Sequence, residues 1–232
     1  METEVREYQK AIEYLCELVR VGELKIGSKL PTERKIAETL SIGRNSTREA
    51  LRILENMGVV SCRQGSGNYI TGDMTKTISG VIEMMLLLKQ TTAEEVIVFR
   101  RDMEKAVCRA IIERGSIKRW QEEIWELLSA DINTRSLEAQ IEADRKFHCM
   151  LIQATENQLW ICISQAIVAI YRNWIDCVLR NADFDTKRQL QESHMALLRA
   201  LQDGSQELCE QTVDRHYNLV DAKLREIAKA GA

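Results

Sequence analysis

Residues 30–71 read LPTERKIAETLSIGRNSTREALRILENMGVVSCRQGSGNYIT, and this stretch decides the fold of the first third of the chain. Thr32 precedes an apolar-periodic run and predicts a capped helix over Glu33–Leu40. After a break at 41–43, a second helix runs from about Arg44 to Met57, with Gly58 as its C-terminal stop. Residues 59–62 and 68–71 read as two short strands, and the loop RQGSG at 63–67 joins them as a hairpin. Upstream, residues 4–21 predict a helix ending at Gly22, and LKIGSKLPTE at 24–33 reads as a turn-rich connection. The order helix, helix, turn, helix, hairpin is that of a winged helix-turn-helix.

Beyond this stretch the chain changes character. Eight of its eleven glycines and its only proline fall within the first 80 residues. The remaining two thirds are rich in Leu, Ile, Ala, Glu and Arg and nearly free of breakers, so they are expected to be helical. Seven stretches emerge: 75–89, 92–114, 117–131, 135–155, 158–182, 186–203 and 206–229. Their short connections favour an antiparallel bundle. The expected fold class is therefore mainly α, a winged helix-turn-helix domain over 1–72 and an all-α antiparallel helical bundle over 73–232. The linker is placed near residues 71–76.

A net charge of −3 does not mark the whole chain as a nucleic-acid binder, but residues 29–63 carry seven Lys/Arg against four Asp/Glu. That local surplus suits DNA. The charged start METEVREYQK gives no signal peptide, and the strongest apolar run, VIEMMLLL at 81–88, is too short to span a membrane. This run reads as core or as a dimer surface. The seven cysteines show no CxxC spacing and read as reduced thiols, mostly packing residues, in a cytoplasmic protein.

Two constellations carry chemistry. Arg44, Asn45, Ser46 and Arg48 stand at the start of the second helix of the helix-turn-helix, the end that enters a major groove. An arginine fork there can pair with guanine O6 and N7. Arg34 on the preceding helix can reach a base or a phosphate. Gln64 and Gly65 lie at the wing tip, where glycine lets backbone approach a groove. The bland alternative is a solvated basic face with a flexible hairpin.

The second constellation holds all three histidines. Asp144 and His148 are one turn apart. His194 and His216 are equidistant from residue 205, in the Asp203-Gly204-Ser205 turn, so an antiparallel hairpin sets them side by side. One carboxylate and three imidazoles suit a divalent ion, zinc first, with nickel, iron or manganese as alternatives. The alternative is that the histidines are hydrogen-bonded packing residues.

The run G-x4-G-x2-LPTERKIAETL, then GRNSTREALRILENMGVV and RQGSGNYI, resembles the winged-helix domain of GntR-type transcriptional regulators over nearly all of residues 5–71. The resemblance implies that Arg34, Arg44 and Arg48 contact double-stranded operator DNA and that Gln64-Gly65 approaches the minor groove. Gly43 departs from the family's usual Ser or Thr, a lost hydroxyl cap worth a few tenths of a kcal/mol. Thr47 stands where Val is usual.

Asp144-x3-His148, His194 and His216, with DRKFH, ATEN, ESHMALLRAL and DRHYNLV around them, resemble the metal site of the FadR-type FCD domain over roughly 76–228. Seven helices fit the FadR subgroup. That likeness implies a divalent metal at these four residues, a small carboxylate effector and a homodimer held largely by the second domain. It also implies that Arg100 faces the effector, against the alternative of a surface ion pair with Glu104. Asn157 reads as a helix cap, and Tyr171, Asn173 and Trp174 as candidate pocket residues. The function expected is a dimeric DNA-binding regulator, more commonly a repressor released by its effector. The alternatives are a regulator for which the ion is the signal, and a metal-dependent hydrolase. The latter is disfavoured because no further acid or base with a recognisable motif accompanies the quartet.

Overall fold

A computed structural model describes residues 6–230. The chain forms two compact units, Met1–Val81 and Ile82–Ala232.

In the first unit, α1 (Glu7–Arg20), α2 (Glu33–Leu40) and α3 (Arg44–Asn56) precede an antiparallel hairpin of β1 (Val60–Arg63) and β2 (Gly67–Ile70). Thr32 caps α2 by accepting from the Lys35 backbone N–H at 3.2 Å. The α2–α3 turn passes through Ser41 in the left-handed region. Ala11, Leu15, Leu30, Ile36, Ala50, Leu51, Leu54, Val60 and Ile70 form one apolar core. The segment expected to be a simple connection does more. Gly27 donates to Ile70 O, Ile70 donates to Ser28 O, and Leu30 donates to Asn68 O, at 2.8–3.0 Å. Residues 27–30 therefore run as a third strand-like edge beside β2, fixing the base of the wing.

The second unit is helical. α4 (Thr75–Leu87) crosses the boundary between the units. It is followed by α5 (Ala93–Arg114), α6 (Ile117–Ser129), α7 (Leu137–Ala154), α8 (Gln158–Asn181), α9 (Phe184–Gln202) and α10 (Gln206–Ala230). Thr92 with Glu95 makes a capping box on α5, Ser136 caps α7, and Asp183 caps α9. Asn157 caps α8 by accepting from the Leu159 and Trp160 N–H groups. Where α6 ends, side chains take over the orphan carbonyls. Gln191 donates to Leu128 O and Ala130 O, and Arg135 donates to Leu127 O.

The bundle core contains Val107, Ile111, Ile124, Phe147, Leu151, Tyr171, Val178, Leu198, Val213 and Tyr217. α10 packs on α9, α5 and α8, and α7 packs on α8, α6 and α5. α7 is thus brought beside the α9–α10 hairpin, which positions the site below. α4 buries none of its residues, and Val81, Met84, Leu87 and Leu88 are exposed. The run VIEMMLLL is therefore not core within this chain. All seven cysteines are free: Cys108 and Cys209 are buried, Cys149, Cys162 and Cys177 are half-buried, and Cys16 and Cys62 are exposed. Among the described residues no helix is long and apolar enough to cross a membrane.

Candidate metal centre and nucleic-acid interface

Helical spacing puts Asp144 and His148 on the inner side of α7, and the α9–α10 hairpin brings His194 and His216 to meet them. All four are buried. The ring centroids of His194 and His216 are 4.6 Å apart, as equidistance from the turn requires, and His148 lies 5.1 and 5.3 Å from them. One nitrogen from each imidazole falls within 4.8 Å of the others. Asp144 Oδ1 is 3.9 Å from His148 Nε2 and 3.6 Å from His194 Nε2.

Two observations test whether these residues fit a cation. Nε2 of His194 and both ring nitrogens of His148 are buried with no hydrogen-bond partner. Buried polar atoms normally have one, so orphaned ring nitrogens this close together need an explanation. The second observation concerns His216. Ser193 Oγ donates its only proton to Leu190 O at 2.6 Å and lies 2.9 Å from His216 Nδ1. The serine oxygen must then accept from Nδ1–H, which leaves the Nε2 lone pair of His216 free. A donor set of three imidazoles and one carboxylate fits a borderline divalent ion.

Electrostatics point the same way. Burial pushes His194 well below the ordinary histidine range, with His216 and His148 adding to it. Burial and then His148 hold His216 at about 3. Both rings are neutral near pH 7, the ligand form. Burial raises the Asp144 carboxyl, partly offset by His148 and Arg100.

Behind the quartet lies a group that sequence reading missed. Glu104 is buried and its Oε2 lies 2.9 Å from His148 Nδ1. Tyr217 donates its hydroxyl to the same oxygen at 2.8 Å, and Arg100 Nε donates to Tyr217 Oη at 2.7 Å. The Arg100 guanidinium lies 4.2 Å over the Tyr171 ring. Burial works against both charges. Tyr217, Tyr171 and Glu104 outweigh it and raise Arg100. His148 and then Arg100 outweigh it and hold Glu104 at about 2. Arg100 is only 4% exposed, so the surface ion pair with Glu104 is overturned: both are interior, and Tyr217 bridges them. Tyr171 is buried under Arg100, Asn173 is exposed, and Trp174 borders a separate groove. The one clue in the sequence to Glu104 was its place one turn after Arg100.

A cavity of about 20 Å³ is bordered by Arg100, Asp144, Arg145, His148 and Arg172. This is room for about one water. Asp144 and His194 also border a cleft of about 40 Å³ shared with Arg135, Lys187 and Gln191.

In the first unit, Arg44 and Asn45 are exposed on the first turn of α3, and Gln64 and Gly65 are exposed at the wing tip. The cap missing at Gly43 is supplied from α1. Glu7 Oε2 accepts from the Gly43 backbone N–H at 3.1 Å and from Ser46 Oγ at 2.7 Å. A carboxylate there also suits the positive end of the helix dipole. Ser46 thus directs its proton to Glu7 rather than outward. Arg48 is paired with Glu33 at 3.0 Å, and Arg34 stands 3.7 Å from Glu38. Asn45 and Arg48 share a shallow depression with Arg52, which the sequence reading had not singled out although it lies one turn beyond Arg48. Buried Thr47 bonds Gly43 O at 3.4 Å, so its hydroxyl is absorbed within the helix.

The pattern of the bacterial regulatory proteins of the gntR family matches residues 7–70, and that of the FCD domain matches residues 95–219. The chain belongs to the GntR family, with an FCD domain. It is a transcriptional regulator by family, and its relatives are regulators rather than enzymes. It is 30% identical over 145 residues to the HTH-type transcriptional regulator LutR of Bacillus subtilis, covering 61% of this chain and 65% of LutR, just under two thirds of that protein. It is 23% identical to the Glc operon transcriptional activator of Escherichia coli K12, over 92% of this chain and 87% of that one. It is 24% identical to the transcriptional repressor NanR of Klebsiella aerogenes, over 94% and 85%. Among solved structures, Streptococcus agalactiae GntR superposes with a TM-score of 0.66 at 19% identity, over 92% of this chain and 98% of that chain. That likeness establishes the fold.

Proposed function

We propose that this GntR-family regulator is a repressor that binds operator DNA as a homodimer and answers to a small organic acid held at a divalent ion. The DNA-contacting residues are Arg34, Arg44, Asn45, Arg48, Gln64 and Gly65, with Ser46 supporting the helix end through Glu7. The ligands are Asp144, His148, His194 and His216. The DNA-binding domain spans 1–72, and the effector, metal and dimerisation domain spans 73–232. The observation that carries the metal reading is the pair of orphaned Nε2 atoms on His148 and His194. When bound, a divalent ion supplies a Lewis-acidic anchor for a carboxylate. Arg100 supplies a second anchor: its two terminal nitrogens meet no protein acceptor among the described residues, while Nε is fixed by Tyr217. The effector acts by preferring one arrangement of the chain, and a coupling of roughly 1–3 kcal/mol changes DNA affinity about 5–150-fold.

The test is elemental analysis of protein purified without a histidine tag, followed by calorimetric titration with zinc, nickel and manganese. One ion per chain is expected in the wild type and none in His194→Ala. No metal and no uptake would return the histidines to packing. Gel-shift titration of Arg44→Ala and sedimentation on operator DNA test the interface and the dimer. If Arg44 reads a base, its loss costs about 1–3 kcal/mol and relaxes sequence preference.

The small cavity favours a second reading, in which the ion itself is the signal. An organic acid needs α7 and α8 to part beside Arg100, whereas an ion needs no more room than the quartet offers. Under this reading chelation alone switches DNA binding, with no organic ligand present.

A further inference from the structure

We infer that Glu104 is a positioning residue for the metal site, holding His148 in the Nδ1–H tautomer and so turning its Nε2 lone pair toward Asp144 and His194. This rests on the metal reading above and extends it to a residue outside the ligand quartet.

The directions of the hydrogen bonds follow from donor inventories. Arg100 can only donate, so the Tyr217 oxygen accepts from Arg100 Nε, and the Tyr217 proton goes to Glu104 Oε2. Glu104 therefore presents an acceptor oxygen at 2.9 Å from His148 Nδ1. A nitrogen lone pair facing that oxygen at this distance would repel it. A proton on Nδ1 turns the same contact into attraction. The pair is out of line for a full hydrogen bond, so Glu104 acts on the tautomer through the charge and closeness of its oxygen to Nδ1.

Glu104 is not itself placed as a ligand. It sits on the Nδ1 flank of the His148 ring, while Asp144 Oδ1 sits on the Nε2 flank. The arrangement parallels that at His216, where Ser193 accepts from Nδ1–H. At His216 a formed hydrogen bond sets the tautomer, and at His148 a buried carboxylate oxygen faces Nδ1 at 2.9 Å. Such outer partners commonly change metal affinity 10–100-fold. Tyr217 and Arg100 complete a buried chain, so the guanidinium that faces the cavity beside the quartet is joined through two hydrogen bonds to the carboxylate behind His148.

Two measurements decide this. The first is the tautomer of His148 in wild-type protein stripped of metal, read by long-range ¹H–¹⁵N correlation. Nδ1–H is expected, and Nε2–H as the resident tautomer overturns the proposal. The second is calorimetric zinc titration of wild type, Glu104→Gln and Tyr217→Phe. Glu104→Gln is expected to bind one ion with affinity about 10–100-fold lower. Tyr217→Phe is expected to lose less, because Glu104 stays in place. Unchanged affinity in Glu104→Gln, with His194→Ala unable to bind, overturns Glu104 while leaving the quartet standing. No uptake by the wild type overturns the metal reading instead, and the tautomer measurement then still decides whether Glu104 holds His148. Should Glu104→Gln fail to fold, Tyr217→Phe and the wild-type tautomer settle the matter.

Discussion

Glu7 gives the clearest case of one side chain repairing what sequence alone made a defect. Gly43 offers no hydroxyl to the start of α3, and a carboxylate from 36 residues upstream takes its place. The Glu7 carboxyl is held below its ordinary range by Ser46 and then Gly43. A depressed carboxyl contributes stability that is present above its unfolded value and lost as pH falls through its folded one. Glu7→Ala should therefore lower the melting temperature of the first unit and weaken operator binding, although residue 7 lies on α1 and not on the reading helix. Glu7→Gln, whose amide oxygen still accepts, should retain more of both. Thermal melting with a gel-shift titration checks this, and equal behaviour of wild type and Glu7→Ala would deny the cap its role.

At the scale of elements, the hairpin is fixed by contacts at its ends. Gly58 sits between α3 and β1 with φ +72°, and a Cβ there would fall 1.8 Å from Asp73 O. Left-handed backbone costs a non-glycine residue about 1–3 kcal/mol, and here the contact with backbone adds to it. Gly58→Ala should therefore destabilise the first unit by at least that amount in denaturant melts, with the second unit unaffected. A change under about 0.5 kcal/mol, the range of ordinary surface substitutions, would show that the segment at Asp73 gives way freely. In the second unit the α9–α10 hairpin is the element that assembles the candidate metal centre. Its three-residue turn fixes the register, and the register pairs His194 with His216.

For the whole molecule, the buried imidazoles predict an acid-sensitive bundle. His216 falls from 6.5 to about 3 on folding, and His194 is also lowered, burial being the first cause of both. Below pH 6.5 the unfolded chain binds protons that the folded chain refuses, so stability declines as pH falls from 6.5 toward about 3. Each such histidine contributes up to about 1.4 kcal/mol per pH unit in that window. Metal-stripped wild type should lose stability between pH 6.5 and about 4, and His216→Gln should show a shallower decline. A wild-type profile that is flat over this range would mean that the rings protonate without cost. Added zinc should steepen the decline, because protons and the ion compete for the same lone pairs.

Spacing in the sequence was enough to fix the elements, the two-part order of the chain and the four residues of the candidate metal centre. Those features are carried by spacing: helical period, caps such as Thr32 and Asn157, the breaker-rich first third, and a turn midway between two histidines. Even the helix ends were legible to within a few residues, because capping is local. Tertiary structure decided the partners of those residues. Glu7 meets Gly43, residues 27–30 pair with β2, and Glu104 meets Tyr217 across 113 positions. Arg100 turned inward and Ser46 turned toward Glu7 for the same reason. No period in the sequence encodes which polar atoms will share a desolvated interior. That is fixed only when helices pack and each buried donor must find an acceptor.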